Sequence, residues 1–433
     1  LIVRLHRCRP TPITFLVVLS LLGIIQAVPA VAQAGVQAPP PLPVAAGPAF
    51  PIEVDSFDPA TGIYDANSAP ELVELAGGGY VAVWNRFTTQ TDVVARLFGD
   101  DDQPTGPLFQ VNQTRSTGEP TTAVAPDGSG FVVAWPAFGA PFGGLFVRRY
   151  DGEGDPVGPE HELDAGLGGF QSPDVALSAT GGLAVWAGGP DYEGFRVFAR
   201  LLGADGAPVG FPFRIQSSAA LFIDHPAVAA DGAGGYLVVW RQKELGQAGG
   251  TLFLRHVDGD GNLVGEPTIV FDSDDRLPMN AAIGAGPDGD FYVAWNDCAD
   301  FGMPGTCGVR MQAFDADASR RGGPRVLEGS DELFTRAPSV SVDADGNHAV
   351  TWPWCVIDDG FNSDCGLDTV YFGPRGQRLG LLRAEVAPGA IPSQSSNAVV
   401  HGDFLTGWTG ISGAPEGAYA ERHRLIERGR GRR

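Results

Sequence analysis

From residue 47 to residue 426, short apolar segments alternate with polar positions at a period of two and are broken by Gly, Asp, Asn and Pro. That pattern predicts short strands joined by tight turns, and helical periodicity is absent. One phrase recurs: a Pro-led apolar segment, a Gly-rich turn, then an alternating segment ending in Trp. It is clearest over Pro120–Trp135 (PTTAVAPDGSGFVVAW) and Pro226–Trp240 (PAVAADGAGGYLVVW). The tryptophans are Trp84, Trp135, Trp186, Trp240, Trp295, Trp352 and Trp408, at spacings of 51, 51, 54, 55, 57 and 56; only Trp354 stands outside the series. A fixed period of this kind marks a repeat architecture.

Each repeat has a second half, seen in Val94–Phe98, Phe146–Tyr150 and Phe253–Val257, followed by an Asp/Gly turn and a Pro-x-Gly or similar phrase. An outer segment closes the unit, as in Phe109–Val111, Phe213–Ile215 and Thr268–Val270. Hairpin signals stand at Asp127-Gly128, Asp231-Gly232, Asp288-Gly289 and Asp345-Gly346. Four strands in a unit of this length is the layout of a propeller blade, with the repeated Trp packing between neighbours. After Trp408 the chain offers one strand-like segment, Tyr419–Leu425, and no outer strand. That strand stands at the other terminus, where Gly47–Ser56 matches Gly210–Ser217 and Gly106–Asn112. The two ends are therefore expected to complete one shared blade, giving an all-β, seven-bladed propeller of four-stranded antiparallel blades.

The pattern resembles the uncharacterised exported β-propeller repeat proteins of bacteria, whose units carry a Gly-Tyr/Phe-x-Val-x-Trp strand and a Val-x-Arg-x-Phe-Asp-x-x-Gly-x-Pro-x-Gly segment. The resemblance covers residues 47–426 and speaks to architecture, since propellers carry many unrelated functions. Copies after residue 309 are more degenerate, at Arg320–Pro324 and Gly376–Gly380. The resemblance implies that the loops following each Trp emerge on one face around a central channel: Asn85–Asp92, Pro136–Gly144, Ala187–Gly194, Arg241–Gly250, Asn296–Gly308, Pro353–Asp368 and Thr409–Gly417.

Composition adds a destination. Arg4, Arg7 and Arg9, the apolar run Ile13–Val28 and the small-residue stretch Ala32-Gln33-Ala34 have the layout of a secretory signal over residues 1–34. A Pro-rich linker is expected over 35–46 and a basic tail over 427–433, leaving a secreted, periplasmic or cell-surface protein with no membrane insertion after signal removal. The formal charge of −22 argues against nucleic acid and anionic membranes as partners. Of five cysteines, Cys8 lies in the signal. The others form local pairs, Cys298 with Cys307 and Cys355 with Cys365, which reads as two disulfides rather than a zinc site, because no histidine pair stands at ligand spacing.

Chemistry is sparse. There is no Gly-x-Ser-x-Gly elbow, no phosphate-binding Gly-rich loop, and the histidines His225, His256, His348, His401 and His423 recur at no common position. Asp258–Asn262 and Asp343–Asn347 look like calcium loops, but the first has Leu263 and Ile269 where such a loop needs Gly and Glu, and both fall on hairpin turns. No cofactor and no metal is expected. The candidate ligand contacts are loop residues after the Trp: Asn85, Arg86, Arg241, Lys243, Asn296, Asp297, Trp354, Asp358, Asp359 and Asn362. Trp354 is the residue expected to stack on a sugar or an apolar partner. The expectation is a non-catalytic recognition or scaffold module for a glycan, a surface protein or a small ligand. The alternative is a glycan-acting hydrolase or lyase using Asp297, Asp358, Asp359, Arg86 and Arg241 on the same face.

Overall fold

A computed structural model describes residues 40–426 except 55, 59–62, 69, 76–77, 89–90, 115–119, 125–128, 138–143, 165–169, 189–195, 217–221, 245, 300–306, 329–332, 336, 359–360, 387–394 and 411–416. The signal expected over 1–34 and the tail over 427–433 lie outside the described residues. Within them the chain is all-β, with seven four-stranded antiparallel blades in a ring and no helix. Numbering the blades by their repeat Trp, from Trp84 in blade 1 to Trp408 in blade 7, blade 4 shows the unit: Phe222–Ala230 innermost, then Tyr236–Lys243, Gly250–Val257 and, outermost, Leu263–Ser273. The predicted turns form where they are described. Gly232, Gly289 and Gly346 take φ of 73°, 79° and 78°, a region glycine enters without a Cβ clash.

The second strand of each blade is apolar almost throughout rather than alternating. Gly181–Gly188 is buried at every position. The reason is location: this strand is sandwiched between the two neighbouring blades, so both its faces are interior. The core accordingly lies between blades. One cluster, for example, joins Leu183, Val185 and Ile215 of blade 3 to Tyr236, Val238 and Trp240 of blade 4. All seven repeat tryptophans are buried, Trp408 being the most open at 4%.

The ring closes by sharing a blade between the chain ends. Leu42–Ala45 and Phe50–Val54 both pair with Gly417–Ile426, with Pro43 opposite Leu425 and Pro51 opposite Tyr419. The pairing starts at Leu42, earlier than Gly47. Leu42–Ala45 reads as tether in isolation, but Ala45, opposite His423, occupies the place that Pro208, opposite Leu202, holds in blade 3, and Leu42–Val44 carry the pairing further along the same strand. Ile52 then fills the interior position that Val111, Leu163, Ile215 and Val270 fill elsewhere.

The Asp258 and Asp343 loops are hairpin turns. Asp258 Oδ1 accepts from the backbone N–H groups of Asp260 and Asn262 at 3.0 and 2.8 Å. Asp343 does the same with Asp345 and Asn347 at 2.9 and 2.8 Å. The carboxylates thus hold their own turns together.

Candidate functional site

The innermost strand of each blade has one edge facing the ring axis, where a backbone N–H has no strand to pair with. The repeated Pro stands there: Pro120, Pro173, Pro226 and Pro338 all line the axial cavity, and proline supplies no donor to leave unsatisfied. That is the physical content of the Pro-led phrase. The cavity has a volume of about 830 Å3 and is walled by the inner strands of all seven blades. Its mouth lies on the face toward which the second strands run after the repeat Trp, since Pro136 and Ala137, which end the strand Gly130–Ala137 just past Trp135, also border it.

Three consecutive blades shape the mouth alike. The inner strands Phe170–Ser178, Phe222–Ala230 and Leu277–Ala285 each contain a register shift, between Gln171 and Asp174, Asp224 and Ala227, and Met279 and Ala282. The residue just inside each shift, Ser172, His225 or Asn280, has a φ of 48°, 46° or 50°. Left-handed backbone in a residue other than glycine is uncommon, with Asn and His over-represented, and costs about 1–3 kcal/mol where it occurs at a constrained site. The bulges re-aim the strand at the channel mouth.

Below the mouth, side chains tie neighbouring inner strands together. Asp174 accepts from Thr121 Oγ1 of blade 2 and, through its other oxygen, from the Val228 N–H of blade 4, both at 2.8 Å. Its own strand contributes the Val175 N–H at 2.8 Å. Part of Asp174 borders the cavity, yet the wall encloses its carboxyl, and burial pushes its pKa up to about 6 against the pull of these three bonds. Ser396 donates to the Pro70 carbonyl across the closing junction, and Asn397 Nδ2 to the Ser339 carbonyl at 3.4 Å.

With the fold and the channel in view, the chain can be set beside known proteins. No family model matches it, and no curated protein matches its sequence. Solved structures do. An ulvan lyase of polysaccharide lyase family 25 aligns at a TM-score of 0.53 and 10% identity, over 84% of this chain and 94% of that one. A protein of unknown function from Dyadobacter fermentans aligns at 0.49 and 11%, over 87% and 99%. An α-L-arabinanase from Penicillium chrysogenum aligns at 0.44 and 12%, over 70% and 92%. The likeness is one of fold.

Within that fold, four of the residues picked from sequence come together beside the bulged strands. Arg241 and Lys243 stand opposite Asp224 and Phe222, and Asn296 and Asp297 stand opposite Met279 and Pro278. They lie on strand rather than loop, because the second strands of blades 4 and 5 run on past the Trp. All four are buried. Lys243 Nζ donates to the Ala248 carbonyl at 3.4 Å. Asp297 is held by Arg276 at 2.7 Å and by Arg310. Asn296 reaches the mouth indirectly: its Oδ1 accepts from Asn280 Nδ2 at 3.2 Å, and its Nδ2 donates to Thr335 Oγ1 at 3.1 Å.

The remaining candidates sit elsewhere. Asn85 is buried in blade 1, where its N–H donates to Ser68 Oγ at 2.9 Å, and Arg86 is paired opposite Asp92 and Asn67. Trp354 is not presented to solvent. It is 6% exposed, its indole N–H donates to Asp368 at 2.8 Å, and the Arg383 guanidinium covers its ring at 4.6 Å. In backbone, Asp358 ends the strand His348–Asp358 and Asn362 is the second residue of Phe361–Phe372; their side chains, and all of Asp359, lie outside the described residues.

Both cysteine pairs form disulfides, between residues directly opposite on paired strands, with Cα atoms 4.0 Å apart for Cys298–Cys307 and 4.1 Å for Cys355–Cys365. The stretch Pro353–Asp368, expected as an irregular loop, is mostly the extended tip of a hairpin. Sequence reasoning passed over Ser172, His225 and Asn280; the one signal available was their place immediately before the repeat Pro or its substitute, Ala281.

Proposed function

We propose that this propeller is an exported recognition module that captures its ligand at the mouth of the central channel, on the face of the loops after the repeat Trp. The observation that carries the reading is the cavity of about 830 Å3, which falls in the roughly 300–1,000 Å3 range of small-ligand sites. Its mouth is bordered by three blades whose strained bulges all turn at the same level. Strain of that kind persists where surrounding structure holds it, and it clusters at binding sites. The two disulfides suit an oxidising compartment. Among the described residues no helix is long and apolar enough to cross a membrane.

The ligand classes that fit such a mouth are a glycan, an exposed element of a surface protein, or a small polar molecule; the acidic surface disfavours nucleic acid. Ala282 lines the channel, and Ala282→Phe narrows it without removing a polar group. The test is binding of the mature protein to a glycan array and to soluble oligosaccharides, with this variant alongside, followed by assays for hydrolysis and elimination on every hit. Capture without turnover, lost in Ala282→Phe, supports the reading. Turnover would make the protein a glycan-acting enzyme, and binding indifferent to the plug would move the site off the axis.

A further inference from the structure

Resting on that channel reading, we propose that the site takes the uncharged, hydroxyl-rich end of a glycan, entering along the ring axis. The ring is closed on all sides by the seven inner strands, so a polymer reaches the cavity by a terminus and not by lying across it.

Charge selects against acidic sugars. Among the described residues that line the cavity there is no Lys or Arg, while Glu71 and Asp174 both border it. A uronate or sulfate would leave water without a cation to receive it, and the whole body, at −22, repels its approach. The elevated pKa of Asp174 shows the same wall disfavouring a negative charge already built into it. A cationic ligand gains little from Asp174, because both of its oxygens are held by Thr121, Val175 and Val228.

The rim offers what a sugar ring needs. Ser172, His225 and Asn280 bring a hydroxyl, an imidazole and an amide, groups that both donate and accept hydrogen bonds when neutral. Pro173 and Pro226 set C–H surfaces between them, and Pro338 of the next blade adds another beyond Asn280. Alternating two-way polar groups and apolar faces is the surface of a pyranose in negative.

The experiment uses the mature protein on glycans attached through their reducing ends, then calorimetry with free oligosaccharides that end in a neutral hexose or in the corresponding uronate. Tighter binding of the neutral terminus by at least tenfold is expected. Asn280→Gly keeps the positive φ at no steric cost and removes the amide; it should weaken binding at least fivefold. Ala282→Phe should abolish it, with circular dichroism confirming that each variant is folded. Should the plug variant not fold, Asn280→Gly decides alone. Preference for the uronate with sensitivity to both variants retained would overturn the ligand class and leave the channel site standing. Glycan binding unaffected by either variant would overturn the channel reading itself, and no binding to any neutral terminus would overturn this inference.

Discussion

Arg200 Nη1 stands 2.9 Å from the carbonyl oxygen of Leu163, the buried outer-strand residue of the blade before its own, while its Nη2 donates to the Gly210 carbonyl at 2.8 Å. Arg148 bridges Val111 and Gly158 in the same way, and Arg255 bridges Ile215 and Gly265. The Arg and the Gly of the repeat signature are thus two ends of one clamp between blades. Arg96 applies it to the closing strand, reaching the Ile52 carbonyl at 3.5 Å and Glu53 at 2.9 Å. Blade 5 has Gln312 at the Arg position, and there Arg320 donates to the Val270 carbonyl at 3.3 Å instead. Arg200→Ala should lower the unfolding free energy by about 1–3 kcal/mol, and Arg200→Lys should recover less than half, since one ammonium cannot fork to both carbonyls. Urea midpoints measure both. A variant with the wild-type midpoint would reduce the clamp to an accident of repetition.

Asp174 makes stability depend on pH. Its folded pKa of about 6 lies above the usual 3.8, so between those values the folded protein holds a proton the unfolded chain has lost. The contribution of this group therefore falls as pH rises from about 4 to 6 and stays lower above. Asp174→Asn should flatten that window in a series of urea midpoints. Parallel profiles for the two proteins would remove Asp174 as the cause.

His348 works in the opposite sense. Burial lowers its pKa from 6.5 to about 4, so its contribution is full above about pH 6.5 and is lost as pH falls toward 4. The ring occupies the place of Tyr80, Phe131, Tyr236 and Phe291 in other blades and stacks between Tyr292 and Phe372, at 3.6 and 5.0 Å. Its Nε2 has no hydrogen-bond partner among the described residues. His348→Phe restores the repeat residue and should gain about 1 kcal/mol at pH 5. Because the two groups tilt stability in opposite directions over overlapping ranges, the wild-type profile understates both, and the single variants should diverge from it to opposite sides.

Architecture was readable from sequence because a repeat advertises whatever recurs: seven tryptophans, the Arg-to-Gly clamp and two complementary ends. The site was less readable for the same reason. Ser172, His225 and Asn280 matter through differing from one another at one repeated place, and their left-handed backbone leaves no mark in hydropathy. Arg241, Lys243, Asn296 and Asp297 read as loop because apolar patterning stops at the Trp. The strands run on because the bulged inner strands continue to pair with them. Trp354, the lone irregular tryptophan, proved to be an inward residue two positions along the same strand face as Trp352, in the core shared by blades 5 and 6.

Trp354→Ala is therefore expected to act on stability. Removing a buried indole costs about 3–5 kcal/mol, and here it also uncovers Asp368 and Arg383, which pair at 2.7 Å. A folded fraction that binds ligand as tightly as wild type, with a lowered melting temperature, is the expected result. Loss of binding at unchanged stability would return Trp354 to the list of ligand contacts.

The Cys298–Cys307 bridge should matter to the channel mouth more than to the fold. The two strands it joins are already paired over their full length, so the chain-entropy figure of about 2–3 kcal/mol for a loop this short is an upper bound. Its local effect is more specific. The Cys307 carbonyl accepts from Thr335 Oγ1 at 3.3 Å, that hydroxyl accepts from Asn296, and Asn296 holds the Asn280 amide. Replacing both cysteines with serine loosens the first member of this series, and Thr335→Val cuts the second while keeping its volume. Both should weaken capture of the array ligand several-fold, Thr335→Val with the smaller change in melting temperature. If each lowers stability and neither changes affinity, the disulfide serves only to tie two already paired strands, and Asn280 is oriented by something other than this hydrogen-bonded series.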